Sequence, residues 1–212
     1  MLAAALACNG DPAPRAAVPP PAPPGERGRI VFLGTSLTAG LGLDPSQAYP
    51  ELLQRSIDSA GLPFVTVNAG VSGETSAGAR HRIDWLLSQP ASVLVIETGA
   101  NDGLRGLDPD SLEANIQAII DRARRQSPPP RILLVGMEAP PNLGLRYVRR
   151  FRGVYPELAK RNDLPLVPFL LDGVAGVDSL NQADMTHPTA AGQRRIAQTI
   201  WKALEPMLRG KA

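Results

Sequence analysis

Five short, nearly unbroken apolar runs, at 29–34, 64–68, 93–98, 132–136 and 164–169, are spaced along the chain with stretches of helical period between them. A strand that reads as a continuous hydrophobic run is covered on both faces, and such sheets are parallel with helices in the crossovers. The runs therefore predict five parallel strands. Between them Leu112, Ile116, Ile119 and Ala123 recur at helical spacing, as do Ile196, Ile200, Leu204 and Met207. Further helices fit 48–60, 76–89 and 146–162. The alternation predicts an α/β fold: a three-layer α/β/α sandwich, doubly wound in the flavodoxin-like manner, with ligands outside the carboxyl ends of the strands.

At 212 residues the chain suits one domain with a substantial core. Net charge is only +2, and the basic residues are mostly Arg scattered along helical stretches, such as Arg122, Arg124 and Arg125. No aromatic-interleaved basic stripe accompanies them, so no nucleic-acid partner is expected. Three segments are expected: 1–8, a partial export signal; 9–28, a tether; and 29–212, the folded domain. The tether is rich in Pro and Ala, with Pro19, Pro20, Pro21, Pro23 and Pro24, and lacks a period that could pack.

Ahead of it, a small apolar run ends in the only cysteine, Cys8, and resembles the tail of a bacterial lipoprotein signal. The run is short, lacks a basic start, and carries Ala5 and Leu6 in inverted order. The expectation is a periplasmic or secreted protein with Cys8 as a lipid-bearing membrane tether; a cytoplasmic extension is the alternative. A lone Cys forms no internal disulfide, and no later stretch reaches the apolar length of a membrane-spanning helix.

The polar residues that interrupt this pattern fall at one edge. Ser36 follows the first run, Gly70 the second and Asn101 the third, while His187 precedes the last helical stretch, which Pro188 suits as its first residue. A serine hydroxyl is a weak nucleophile without an adjacent base, and the chain holds two imidazoles, His81 and His187. His81, beside Arg80 and Arg82 in a helical stretch, reads as an exposed helix residue. Asp184 lies three residues before His187, a reach that lets its carboxylate bind one ring nitrogen while the other faces Ser36. The competing readings are a helix N-cap for Asp184 and a structural role for His187. A metal is not expected, because no further Cys, His or acidic cluster completes a ligand set.

Negative charge on a carbonyl oxygen needs donors already in place. The candidates are the backbone N–H of Ser36, the backbone N–H of Gly70 and the side-chain amide of Asn101; alternatively Gly70 is a turn glycine and Asn101 forms an Asx-turn. The nucleophile elbow Gly-x-Ser-x-Gly is absent, since position 38 is Thr38.

With these residues in view, the chain resembles the SGNH hydrolases, also called GDSL esterases and lipases. Their four blocks match Ser36, then Gly70 within 67–73, Asn101 within 99–103, and Asp184 with His187. Segments 36–42, 73–78, 84–87 and 136–144 look like the bacterial periplasmic thioesterase, lysophospholipase and arylesterase branch. The resemblance implies hydrolysis of carboxylic esters and thioesters of acyl chains by a serine nucleophile, with no cofactor. It also implies substrate contacts from Asn142, Leu143, Gly144 and Tyr147. One departure is Thr35, where the family's Gly-Asp-Ser has Asp. Two other readings stand beside this one: a carbohydrate O-acetylesterase or O-acyltransferase, and a non-catalytic binding module on the same fold.

Overall fold

The computed structural model describes residues 27–210. The expected signal run, Cys8 and nearly all of the proline-rich tether lie outside those residues. In chain order the elements are β1 (Gly28–Gly34), α1 (Ser36–Ala39), α2 (Tyr49–Ser59), β2 (Phe64–Gly70), α3 (Ser76–Leu86) and β3 (Val93–Glu97). Then come α4 (Ala100–Leu104), α5 (Pro109–Arg124), β4 (Arg131–Val135), α6 (Leu145–Asn162), β5 (Leu166–Val167) and α7 (Ala190–Leu208). The strands form one sheet in the order β2-β1-β3-β4-β5, every neighbouring pair parallel. This is the flavodoxin-like α/β order, and its five parallel strands are the ones the apolar runs predict.

Residues 30–33 and 93–96 are wholly buried, as continuous apolar runs require of central strands. Helices α2 and α7 pack together on one side of the sheet, and α3, α5 and α6 on the other. Strand order reverses about β1, so the chain leaves β1 and β3 on opposite sides of a crevice at their carboxyl ends. That crevice receives α1 from β1 and α4 from β3.

Several boundaries differ from the expectations for physical reasons. Strand β5 keeps two residues of the six-residue run at 164–169, because Pro165 and Pro168 flank it and supply no N–H. The last helix begins at Ala190 with Thr189 as its N-cap, its hydroxyl accepting the Gly192 N–H at 3.3 Å, so Pro188 lies outside the helix. Gly70 is the last residue of β2 rather than part of a following loop. Helices α1 and α4, of four and five residues, are too short to show a period in sequence.

Candidate active site

A four-residue helix has no stability of its own, so α1 is held by its surroundings. The Asn68 amide on β2 donates to the Thr38 carbonyl at 3.0 Å. The buried Gln193 on α7 donates to the Leu37 carbonyl at 3.0 Å while its oxygen accepts the Tyr49 N–H at 2.8 Å. From the loop before α7, Gln182 donates to the Leu41 carbonyl at 2.8 Å. Ser36 is the first residue of this clamped turn, so its N–H has no intrahelical acceptor.

The loop at 181–189 brings the imidazole. It is pinned by a bridge between Asn181 and Pro188 and by the Gln182 N–H on the His187 carbonyl at 2.7 Å. Within it Asp184 uses its two oxygens differently. Oδ1 accepts the N–H groups of Thr186 and His187, both at 2.9 Å, while Oδ2 meets His187 Nδ1 at 2.6 Å. The carboxylate fixes the proton on Nδ1, leaving Nε2 to accept, and Nε2 lies 2.9 Å from Ser36 Oγ. Asp184 is therefore no helix N-cap. Its hydrogen bond to the His187 ring, joined by the two backbone N–H groups, holds its carboxyl well below the usual carboxylate range.

Asn101 is the second residue of α4, and one of its amide hydrogens goes to the Glu74 carbonyl at 3.0 Å, while the other has no partner among the described residues. Helix α4 is anchored by the buried Asp102, which accepts the Ser76 N–H at 2.9 Å and its hydroxyl at 2.5 Å. His81 lies on α3, is exposed, and does not line the crevice that holds Ser36.

Gly70 must be corrected. Its N–H donates to Asn68 Oδ1 at 3.0 Å, and a Cβ there would sit 2.3 Å from the Ala39 nitrogen and 2.8 Å from the Thr35 carbonyl oxygen. The residue is glycine because the end of β2 packs against the backbone of α1, and it does not line the crevice. Gly73 does. It lines the crevice with Ser36 and Asn101, its φ is +77°, and its N–H makes no hydrogen bond among the described residues. Gly73 lies in the same 67–73 segment, and which of its two glycines faces the site depends on where β2 ends.

The crevice opens into a cavity of about 550 Å³, within the range for small-molecule sites. Leu41, Leu104, Met137, Phe169, Leu171 and Met185 make its lining mainly apolar. Sequence reasoning did not find these residues, which arrive from the end of α4 and from several loops with no shared period. Nor does the crevice include Asn142, Leu143, Gly144 or Tyr147, the expected substrate contacts. Leu143, Gly144 and Tyr147 line a neighbouring cavity with Asp108 and Arg150, and the Tyr147 hydroxyl is engaged by the Leu107 carbonyl at 2.7 Å. The same loop reaches the crevice through Pro140 and Pro141 instead.

The pattern of the GDSL-like Lipase/Acylhydrolase family matches residues 32–195. Esterase TesA of Pseudomonas aeruginosa is 42% identical over 180 residues, 84% of this chain and 89% of that protein. The Escherichia coli K12 protein named Thioesterase 1/protease 1/lysophospholipase L1 is 38% identical over 181 residues, 84% of each. A crystal structure of TesA superimposes with a TM-score of 0.80 at 40% identity, covering 84% of this chain and 99% of that one. The chain belongs to the GDSL-like lipase/acylhydrolase family and is an ester hydrolase of SGNH type.

Proposed function

We propose that the chain hydrolyses carboxylic esters and thioesters of apolar acyl chains through an acyl-enzyme on Ser36. The observation that carries this is the continuous line Asp184 Oδ2, His187, Ser36 Oγ, with contacts of 2.6 and 2.9 Å, ending at the mouth of an apolar cavity. His187 Nε2 takes the Ser36 proton as Oγ attacks the carbonyl carbon. The resulting oxyanion is met by the N–H groups of Ser36 and Gly73 and by the second amide hydrogen of Asn101. Collapse breaks the C–O or C–S bond, and the imidazolium returns its proton to the leaving alcohol or thiol. Water, deprotonated by the same nitrogen, then attacks the acyl-enzyme, releasing the acid and restoring Ser36. Asp184 orients the ring and stabilises the imidazolium that forms in both halves.

The apolar lining favours an acyl chain over a bare acetyl group, and relatives named esterase, thioesterase and arylesterase support the breadth of leaving group. Each buried methylene contributes about 0.8 kcal/mol, so kcat/KM for an octanoyl aryl ester should exceed that for the acetyl ester by about 10-fold or more. A protein that turns over only acetyl esters would refute the acyl-chain reading and restore the O-acetylesterase alternative.

A further inference from the structure

Glu97 ends β3 directly behind the Ser36 turn and is fully buried. Every hydrogen-bond partner it has among the described residues is uncharged. Oε2 accepts the Thr35 N–H at 2.8 Å and the Thr38 hydroxyl at 2.7 Å, and the Thr35 hydroxyl lies 3.1 Å from both oxygens. Because the Thr38 hydrogen goes to Glu97, the Tyr49 hydroxyl on α2 must donate in the 2.7 Å contact with Thr38 Oγ1. Hydrogens from the turn between β1 and α1, from α1 and from α2 thus converge, directly or in relay, on one carboxylate. The other ionisable groups that face it are Tyr155 on α6 and Glu74, the latter paired with Arg82 at 2.7 Å. Burial pushes the Glu97 carboxyl upward, and the Thr35 and Thr38 bonds oppose that.

A buried carboxyl without a cation is costly to keep, and the reaction above makes no use of it. Its location explains its presence. Thr35 and Thr38 bracket Ser36, at one residue before and two after. Two residues beyond Glu97, Gly99 caps the helix that carries Asn101. We propose that Glu97 is a positioning residue for ester hydrolysis, acting through the Thr35 and Thr38 hydroxyls to fix the nucleophile turn against the strand that delivers the oxyanion donor. Thr35, which departs from the Gly-Asp-Ser pattern, fits this arrangement because its hydroxyl supplies a hydrogen that an ionised Asp lacks. The inference rests on Ser36 being the nucleophile.

The test measures kcat and KM separately on the octanoyl aryl ester, with a thermal melt for each variant. Thr35→Val and Glu97→Gln should lower kcat by about 10- to 100-fold and leave KM within about 3-fold, the mark of misplaced reacting groups rather than lost binding. Thr35→Ser, which keeps the hydroxyl, should retain kcat within about 3-fold of the parent. Should Glu97→Gln fail to fold, the Thr35 pair decides alone. A folded Thr35→Val with kcat within about 2-fold of the parent, or equal losses in Thr35→Val and Thr35→Ser, would overturn the proposal. A parent protein inert toward every ester would refute the nucleophile role of Ser36 first, a separate result.

Discussion

Asp184 joins two tasks in one exposed side chain, holding its own loop through Oδ1 and the imidazole through Oδ2. Asp184→Asn keeps the first contact and puts an NH2 where the second acceptor was, which favours the wrong ring tautomer; kcat should fall by about 10⁴-fold. Because the folded carboxyl sits below its unfolded value of about 3.9, ionised Asp184 contributes stability that is fully present above that pH. The contribution is lost as pH falls further, through the lowered folded value. The melting-temperature gap between parent and Asp184→Asn should therefore shrink as pH falls below about 4. A gap that grew below about pH 4 would contradict the sign. The juxtaposition of Ser36, Asp184 and His187, with Asn101 in the same crevice, was legible in sequence because the proposed acyl transfer needs those residue types. Glu97 was not, since an acid closing an apolar run reads as the end of a strand.

Two glycines separate packing from chemistry where β2 meets α1. At Gly70 an added methyl would press on the backbone of Ala39 and Thr35, atoms that cannot swing aside. At Gly73 the nearest atom to such a methyl is the Arg105 Nη2, 3.9 Å away, and only the positive φ opposes the change. Gly73→Ala should fold at a cost of about 1–2 kcal/mol, whereas Gly70→Ala should melt at a distinctly lower temperature because α1 must move. Equal melting temperatures for the two variants would remove the packing account of Gly70. The apolar runs foretold which strands exist and that they are parallel. They could not foretell α1 and α4, nor that Pro165 and Pro168 would cut β5 short, because those outcomes depend on which backbone N–H groups find partners.

Across the whole molecule, the doubly wound order places the ends of β1 and β3 side by side at the point where the sheet reverses, and the loop before α7 closes over them. Fold class followed from periodicity alone; the cavity did not, being assembled from loops whose shapes the sequence pattern leaves open. On the proposed reading this convergence activates one hydroxyl. Intact-mass measurement after exposure to an alkyl fluorophosphonate reads that activation at the residue itself. A single adduct on the parent protein, mapped to the peptide holding Ser36 and absent from Ser36→Ala, is the predicted result. An adduct that persists in Ser36→Ala, or a parent that hydrolyses esters yet takes no label, would contradict it.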